Sequence, residues 1–233
     1  MKSVISPDVL ALCPSFIRGV VIGKGINSRG ENSKLVALLK EAEQQTVADA
    51  ALDDIKNHPR INSWRQVYTA FGTNPNKFVS SIESLCKRVK KGGQLPYINT
   101  LVALFNYMSL KHIVPSGGDD LKNVTGDLRL VRAEGGELFT PFNSDSIEYP
   151  ESGEVIYRDD VAVMCRRWNW RQGNHTKLTE ETTDIAINVD CLPPVSPKDG
   201  EKITSELADL LKELCGGDVR YVMLNSEDNE TEI

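Results

Sequence analysis

The sequence predicts an α+β fold, and three observations carry that expectation. Helical periodicity dominates the first half, to about His112. Short β-branched or alternating segments fill the middle, from about Asp127 to Val189. One further helix and strand close the chain. Such segregated order differs from the regular β-α-β alternation of a parallel α/β sheet.

Taken in chain order, Ser15 to Ile26 contains Phe16-Ile17-Arg18-Gly19-Val20-Val21-Ile22-Gly23, a glycine-punctuated run that reads as a strand. Gly23-x-Gly25 is no nucleotide fingerprint, because the third glycine and a strand–turn–helix context are missing. Asn32 to Ile55 reads as a helix, with Leu35, Leu38, Leu39 and Ala42 at helical spacing. Asn62 is expected to cap a short helix, Ser63 to Phe71, that stops at Gly72. Ser80-Ser81-Ile82-Glu83 has capping-box spacing and opens a helix to about Lys91, before Gly92-Gly93. The next helix covers Ile98 to His112, with Leu101, Leu104, Phe105 and Met108 as its apolar stripe and Asn99 and Asn106 as polar residues of interest.

After Pro115-Ser116-Gly117-Gly118 the pattern changes. Asp127 to Ala133, Glu137 to Thr140, Glu154 to Tyr157, Val161 to Trp168 and Thr183 to Val189 read as strands, with turns at Gly135-Gly136 and Asp159-Asp160. Ser196-Pro197 opens a helix to Cys215, with proline at its favoured first position. It ends at Gly216-Gly217 and leads to a strand, Val219 to Leu224. The acidic tail, Ser226 to Ile233, is expected to fray. No repeat or low-complexity linker divides the 233 residues, so a single domain is expected.

Composition narrows the class. Forty per cent hydrophobic residues supply a core, yet no apolar run reaches the ~20 residues of a membrane helix. Met1 to Pro7 lacks the apolar stretch of a signal peptide, so a soluble, cytoplasmic protein with no membrane partner is expected. Cys13, Cys86, Cys165, Cys191 and Cys215 are far apart, odd in number and never in a Cys-x-x-Cys pair. His58, His112 and His175 are isolated too. This usage argues for reduced, packed thiols and against a disulfide framework, a zinc site or any other metal or cofactor. The net charge of −6 counts against general nucleic-acid affinity and against a DNA partner. Lys87, Arg88, Lys90 and Lys91 form one local basic cluster, which also suits a solvated helix C-terminus.

The run Cys165-Arg166-Arg167-Trp168-Asn169-Trp170-Arg171-Gln172 holds two of the three tryptophans. Planar cations interleaved with aromatics can bind phosphate, carboxylate or a flat ring. Strand alternation would turn Arg167, Asn169 and Arg171 one way, toward an anion, and Arg166, Trp168 and Trp170 the other. The competing readings are core packing for the indoles and salt bridges to Glu154, Asp159 or Asp160 for the arginines.

Three groups of segments together resemble the B3/B4 domain of the bacterial phenylalanyl-tRNA synthetase beta subunit. They are Ile98 to Val102 with Asn106-Tyr107-Met108, Pro115 and Asp120; Gly126 to Ala133 with Gly136-Glu137; and Thr179 to Thr183 before the strand Asp184 to Val189. The resemblance spans about Gln94 to Cys191, and in free-standing family members reaches up to Trp64. It implies a mixed-sheet, three-layer sheet/sheet/helix sandwich with an N-terminal helical extension. On this reading residues 1–62 form a strand/helix extension, 63–192 the B3/B4-like core, 193–225 a C-terminal helix and strand, and 226–233 the tail.

In the synthetase that domain hydrolyses the ester of wrongly charged tyrosyl-tRNA, so the resemblance implies a site for the aminoacyl end of a tRNA. Asn106 matches the asparagine of the family's Asn-Tyr motif. Gly117 stands where the family has a pocket histidine, and Asn188 where it has a pocket glutamate. Asp190 would share a strand face with Asn188 and substitute for the missing charge. The synthetase has a glycine-rich loop where this chain has the Arg/Trp run.

The expected substrate-binding set is therefore Asn106, Arg167, Asn169, Arg171, Asn188 and Asp190, with the catalytic residues unknown. A tRNA or aminoacyl-tRNA is the expected partner and deacylation the expected activity if the chain is an enzyme. The alternatives are a non-enzymatic module holding a free amino acid or small carboxylate through Arg167 and Arg171, or a protein-interaction domain with a vestigial pocket.

Overall fold

The computed structural model describes residues 1–233. In chain order the elements are β1 (Lys2–Ile5), α1 (Pro7–Leu12), β2 (Ile17–Lys24), α2 (Ser33–Ala48), α3 (Pro59–Ala70), α4 (Ser81–Lys90), α5 (Thr100–His112), β3 (Ser116–Asp120), β4 (Leu128–Arg132), β5 (Val155–Arg158), β6 (Val163–Arg166), β7 (Arg171–Gln172), β8 (Asp184–Cys191), α6 (Pro197–Cys215), β9 (Asp218–Leu224) and β10 (Glu230–Glu232). They build two sheets, a six-stranded one ordered β10-β1-β4-β5-β6-β7 and a four-stranded one ordered β3-β8-β2-β9. Only the β1–β4 pair is parallel.

The layers follow from strand alternation. Gly19 on β2 faces α6, where an added Cβ would lie 1.9 Å from Thr204 Oγ1, so the glycine lets helix and sheet approach. The opposite face of the same sheet, carrying Arg18, Asn188 and Asp190, meets the first sheet. Tyr157 on β5 reaches Asp190, and Ser3 on β1 reaches Arg18. The result is a three-layer sheet/sheet/helix arrangement with mixed α+β content, as the sequence predicts. The first 62 residues place β1 and β2 inside the two sheets, in addition to α1 and α2.

Caps explain several helix ends and correct others. The Asn32 side chain accepts from Leu35 N–H at the start of α2, and Asn99 does the same for Val102 on α5. The predicted helix to Ile55 stops at Ala48, because Asp49 turns its carboxylate to Ala51 N–H and begins a 3₁₀ turn. Helix α3 starts four residues before the predicted Ser63, with Pro59 in its first turn. Asn62 is therefore interior and accepts from Gln66 rather than capping. Ser80 caps α4, but Glu83 does not complete the box; its carboxylate goes to Arg65 and Lys87.

The strand reading also changes at four places. Ser116–Asp120, where the sequence reading places no strand, is an edge strand. Glu137 to Thr140 forms only an isolated bridge, Phe139 to Glu148. Strand β6 ends at Arg166, two residues early. The tail pairs with β1 through Lys2↔Glu232 instead of fraying, and Ile233 is buried. No helix is long and apolar enough to cross a membrane.

Candidate functional site

A cavity of about 360 Å³ opens where the β3–β8 edge of the four-stranded sheet meets α4, α5 and the turn between β6 and β7. Its outer wall is apolar, with Leu85 from α4, Ile98, Val102 and Phe105 from or beside α5, and Phe142 and Leu178 from loops. Its floor is polar and comes from two neighbouring strands. Gly117 and Asp119 alternate on β3, and Asn188 and Asp190 alternate on β8. Asn188 stands opposite Gly117 in the antiparallel register, so all four positions share one face.

Each floor residue has a different state. Asp190, 4% exposed, receives Tyr157 Oη–H at 2.9 Å and Trp168 Nε1–H at 3.1 Å. Arg18 Nε is 3.5 Å from it and stacks over the Tyr157 ring at 4.7 Å. Burial pushes the Asp190 carboxyl above the usual range, against the pull of Arg18 and the two donors. Asp190 thus shares the face of Asn188, but its oxygens are taken up by Tyr157, Trp168 and Arg18. Asn188, 7% exposed, has a buried Oδ1 with no hydrogen-bond partner. Opposite it, a Cβ added to Gly117 would meet nothing within 4 Å, so the cavity extends over that glycine.

Asp119 was not singled out by the sequence, because no strand was read there to give it a face. It is 5% exposed, and its bonds from Thr176 (2.6 Å) and Gln172 (2.9 Å) both fall on Oδ1. Burial, only partly offset by those bonds, pushes its carboxyl up to about 6. Such a value places a carboxylate in the working range of a proton acceptor.

Of the expected site residues, Asn106, Asn169, Asn188 and Asp190 line one cavity. Asn106 comes from α5 beside Phe105. Asn169 accepts from Tyr68 Oη–H at 2.9 Å, which leaves its Nδ2 buried without a partner; Ser81 Oγ, also in the wall, is likewise unpaired. Arg167 and Arg171 do not line it. The backbone leaves strand geometry at Arg167 and Trp168, whose φ values of 46° and 66° are left-handed. The expected alternation therefore breaks. Arg166 and Arg167 both turn to Glu154, and Arg171 pairs with Glu148 at 3.0 Å. Trp168 drops into the core against Phe16 and Trp64, with ring centroids 4.9 and 5.3 Å away. Its indole edge is all that reaches the site.

The anion-binding face expected of the arginines does not form, and Lys177 is the only Lys or Arg in the wall. Cys165 also lines the cavity, but burial pushes its thiol well up, away from the thiolate a nucleophile needs. His112 lies outside, paired with Glu206. The basic cluster on α4 is absorbed locally: Lys87 bonds Glu83, Arg88 bonds the Gln94 carbonyl and Lys90 bonds Asp53.

A two-sheet sandwich backed by helices, with a half-apolar cavity at one sheet edge, defines the class as an α+β sandwich domain with a candidate binding cavity. The chain belongs to the B3/4 domain family, whose pattern matches residues 63–216. Among solved structures it is similar to an N-terminal fragment of the phenylalanyl-tRNA synthetase beta-subunit from Pyrococcus horikoshii, with 10% identity and a TM-score of 0.44 over 94% of this chain. The chain spans 50% of that fragment's length. A comparison with curated proteins gives no match.

Proposed function

We propose that the chain binds the aminoacyl end of a tRNA in this cavity and hydrolyses the ester of a mischarged one. Family membership supports a tRNA-related role, and one observation supports the site. The cavity joins an apolar wall, suited to an amino-acid side chain, to buried polar atoms that no protein group satisfies. Such atoms cost free energy unless a ligand or water meets them.

Hydrolysis needs a positioned water and stabilisation of an oxyanion. The unpaired donors Asn169 Nδ2 and Ser81 Oγ supply hydrogen bonds for developing negative charge. Catalysis then rests on positioning, together with the substrate's own neighbouring ribose hydroxyl, and uses no covalent protein nucleophile. The test is deacylation of a panel of mischarged tRNAs, with Asn106→Ala and Asn169→Ala slowing it. Neither deacylation nor retardation of any aminoacyl-tRNA would remove this reading.

Gly117 and Asn188, standing where the family has a pocket histidine and glutamate, favour a second reading, a binding module for a free amino acid without chemistry. Thermal stabilisation by free amino acids, with no tRNA retardation, would select it. We also propose that residues 1–233 act as one domain, since β1 and β2 are strands of the two sheets that frame the site.

A further inference from the structure

Two floor residues, Asn188 and Asp119, each carry an acceptor oxygen with no protein donor. Asn188 Oδ1 is buried and unpaired. Asp119 receives both of its hydrogen bonds on Oδ1, which leaves Oδ2 without a protein donor. The two residues are diagonal neighbours across the β3–β8 ladder, since Asn188 pairs with Gly117 and Asp119 lies two residues further along. Diagonal pairs have Cα atoms roughly 7–8 Å apart, within reach of one small group held between the side chains. The space over Gly117 is open for that group.

Charge decides what the group is. The other carboxylate in the floor, Asp190, is opposed by Arg18, and buried Glu154 and Glu83 each hold two cations. Asp119 has no ion pair; Thr176 and Gln172 are neutral donors. A buried carboxylate in this state calls for a cation with several N–H donors. A water would satisfy the geometry but leave the charge uncompensated.

We infer that Asp119 Oδ2 and Asn188 Oδ1 together hold the primary ammonium of the ligand over Gly117, and that the cavity takes small amine-bearing esters in preference to free carboxylates or acylated amines. The rest of the ligand faces the apolar wall, where Lys177 is the only cation and already bonds Asn174 Oδ1 at 3.1 Å. The inference deepens the aminoacyl-end reading by assigning which ligand group the floor recognises.

The experiment is calorimetric titration at neutral pH with L-alanine and L-phenylalanine methyl esters. Methyl lactate, N-acetyl-alanine methyl ester and free L-alanine serve as comparisons. Saturable binding of an amine ester, at least about tenfold tighter than the N-acetyl and lactate compounds, is expected; tenfold corresponds to about 1.4 kcal/mol. Asp119→Asn, which keeps shape and an Oδ1 acceptor, should lose that preference, and Gly117→Leu should block all of the compounds. Equal binding of amine and N-acetyl esters overturns the inference, as does an Asp119→Asn variant that keeps the wild-type preference. If Gly117→Leu fails to fold, the ligand series with Asp119→Asn still decides.

Retardation of aminoacyl-tRNA separates the two levels. Retention of tRNA without any amine preference removes the ammonium site and leaves the tRNA reading. An amine preference that depends on Asp119, with no tRNA retention, does the reverse.

Discussion

Arg167 and Glu154 form an ion pair buried on both sides, with Nη1 2.7 Å from Oε2 and each side chain 2% exposed. Arg166 shares the same carboxylate at 2.8 Å, and the Arg167 backbone N–H donates to it at 3.0 Å. One glutamate therefore organises the turn that closes the cavity. The guanidinium of Arg167 lies 3.7 Å from the Phe78 ring centroid, so the pair is also wedged between aromatics.

Replacing Glu154 by alanine leaves two buried guanidiniums sharing only Glu148 and Glu151 at the periphery. Removing one partner of a buried pair costs about 3–5 kcal/mol. Glu154→Ala should lower stability by that amount in urea denaturation, and Glu154→Gln, which keeps the acceptor, by less.

Trp168→Phe keeps an aromatic ring against Phe16 and Trp64 but removes the 3.1 Å donor to Asp190. The cost should be about 1–3 kcal/mol, the desolvation penalty of an under-satisfied buried group plus lost packing. The released carboxylate should titrate higher still, which NMR of a side-chain-labelled aspartate would read directly.

Asp119→Asn should separate stability from binding. A carboxyl raised to about 6 binds its proton more tightly in the folded chain than in the unfolded one. Its ionisation therefore opposes folding: the penalty is absent below about pH 4, grows between about 4 and 6, and is complete above that. Asparagine escapes it, so the variant should be more stable by about 1–3 kcal/mol at neutral pH. That gain should vanish toward pH 4. Ligand affinity of the wild type should rise through the same window as Asp119 becomes anionic. His175 and Asp159 are the charged neighbours acting on Asp119 from outside the cavity, while Asp190, Cys165, Tyr157 and Lys177 share its wall. The Asp119→Asn comparison isolates the Asp119 contribution from theirs.

The adjacent glycines of β3 should respond in opposite ways. Gly117→Val or Gly117→Leu meets open space and ordinary strand backbone, so Tm should change little while the cavity closes. At Gly118 a Cβ would sit 3.0 Å from the Ala186 carbonyl oxygen on β8. Gly118→Val should therefore strain the sheet, by about 1–3 kcal/mol, as overpacking does. Thermal melts of the two variants side by side provide the check.

Local signals were enough to locate much of this fold. The strand at Ile17–Lys24, the helix starts at Ser80 and Ser196, and the alternation of Asn188 and Asp190 all act within a few residues. What escaped is set by partners distant in sequence. β1 and β10 are only four and three residues long and exist because they pair with each other across 228 positions, as in the bond from Lys2 to Glu230. The Gly-Gly pair of β3 gives no strand signal until β8 supplies its ladder. Asp119 matters only through the register of that ladder. Glu154 stood among the competing partners for the arginines and does take Arg166 and Arg167, whereas Glu148 lies in a different segment, and no alternation rule survives two left-handed residues.

Those two residues make the turn depend on partners outside it. An L-residue in left-handed backbone costs roughly 1–2 kcal/mol that glycine avoids. Arg167 and Trp168 keep the backbone that glycine would favour while filling the space that glycine would leave empty. Arginine at 167 is tolerable only where a carboxylate already stands at 154, and tryptophan at 168 only where Asp190 and the Phe16–Trp64 slot await it. The strain of the turn is thus offset from outside it. Glycine at 167 would relieve the backbone and at the same time strand Glu154 with half of its partners, so the residue least suited to the local conformation is the one the surroundings require.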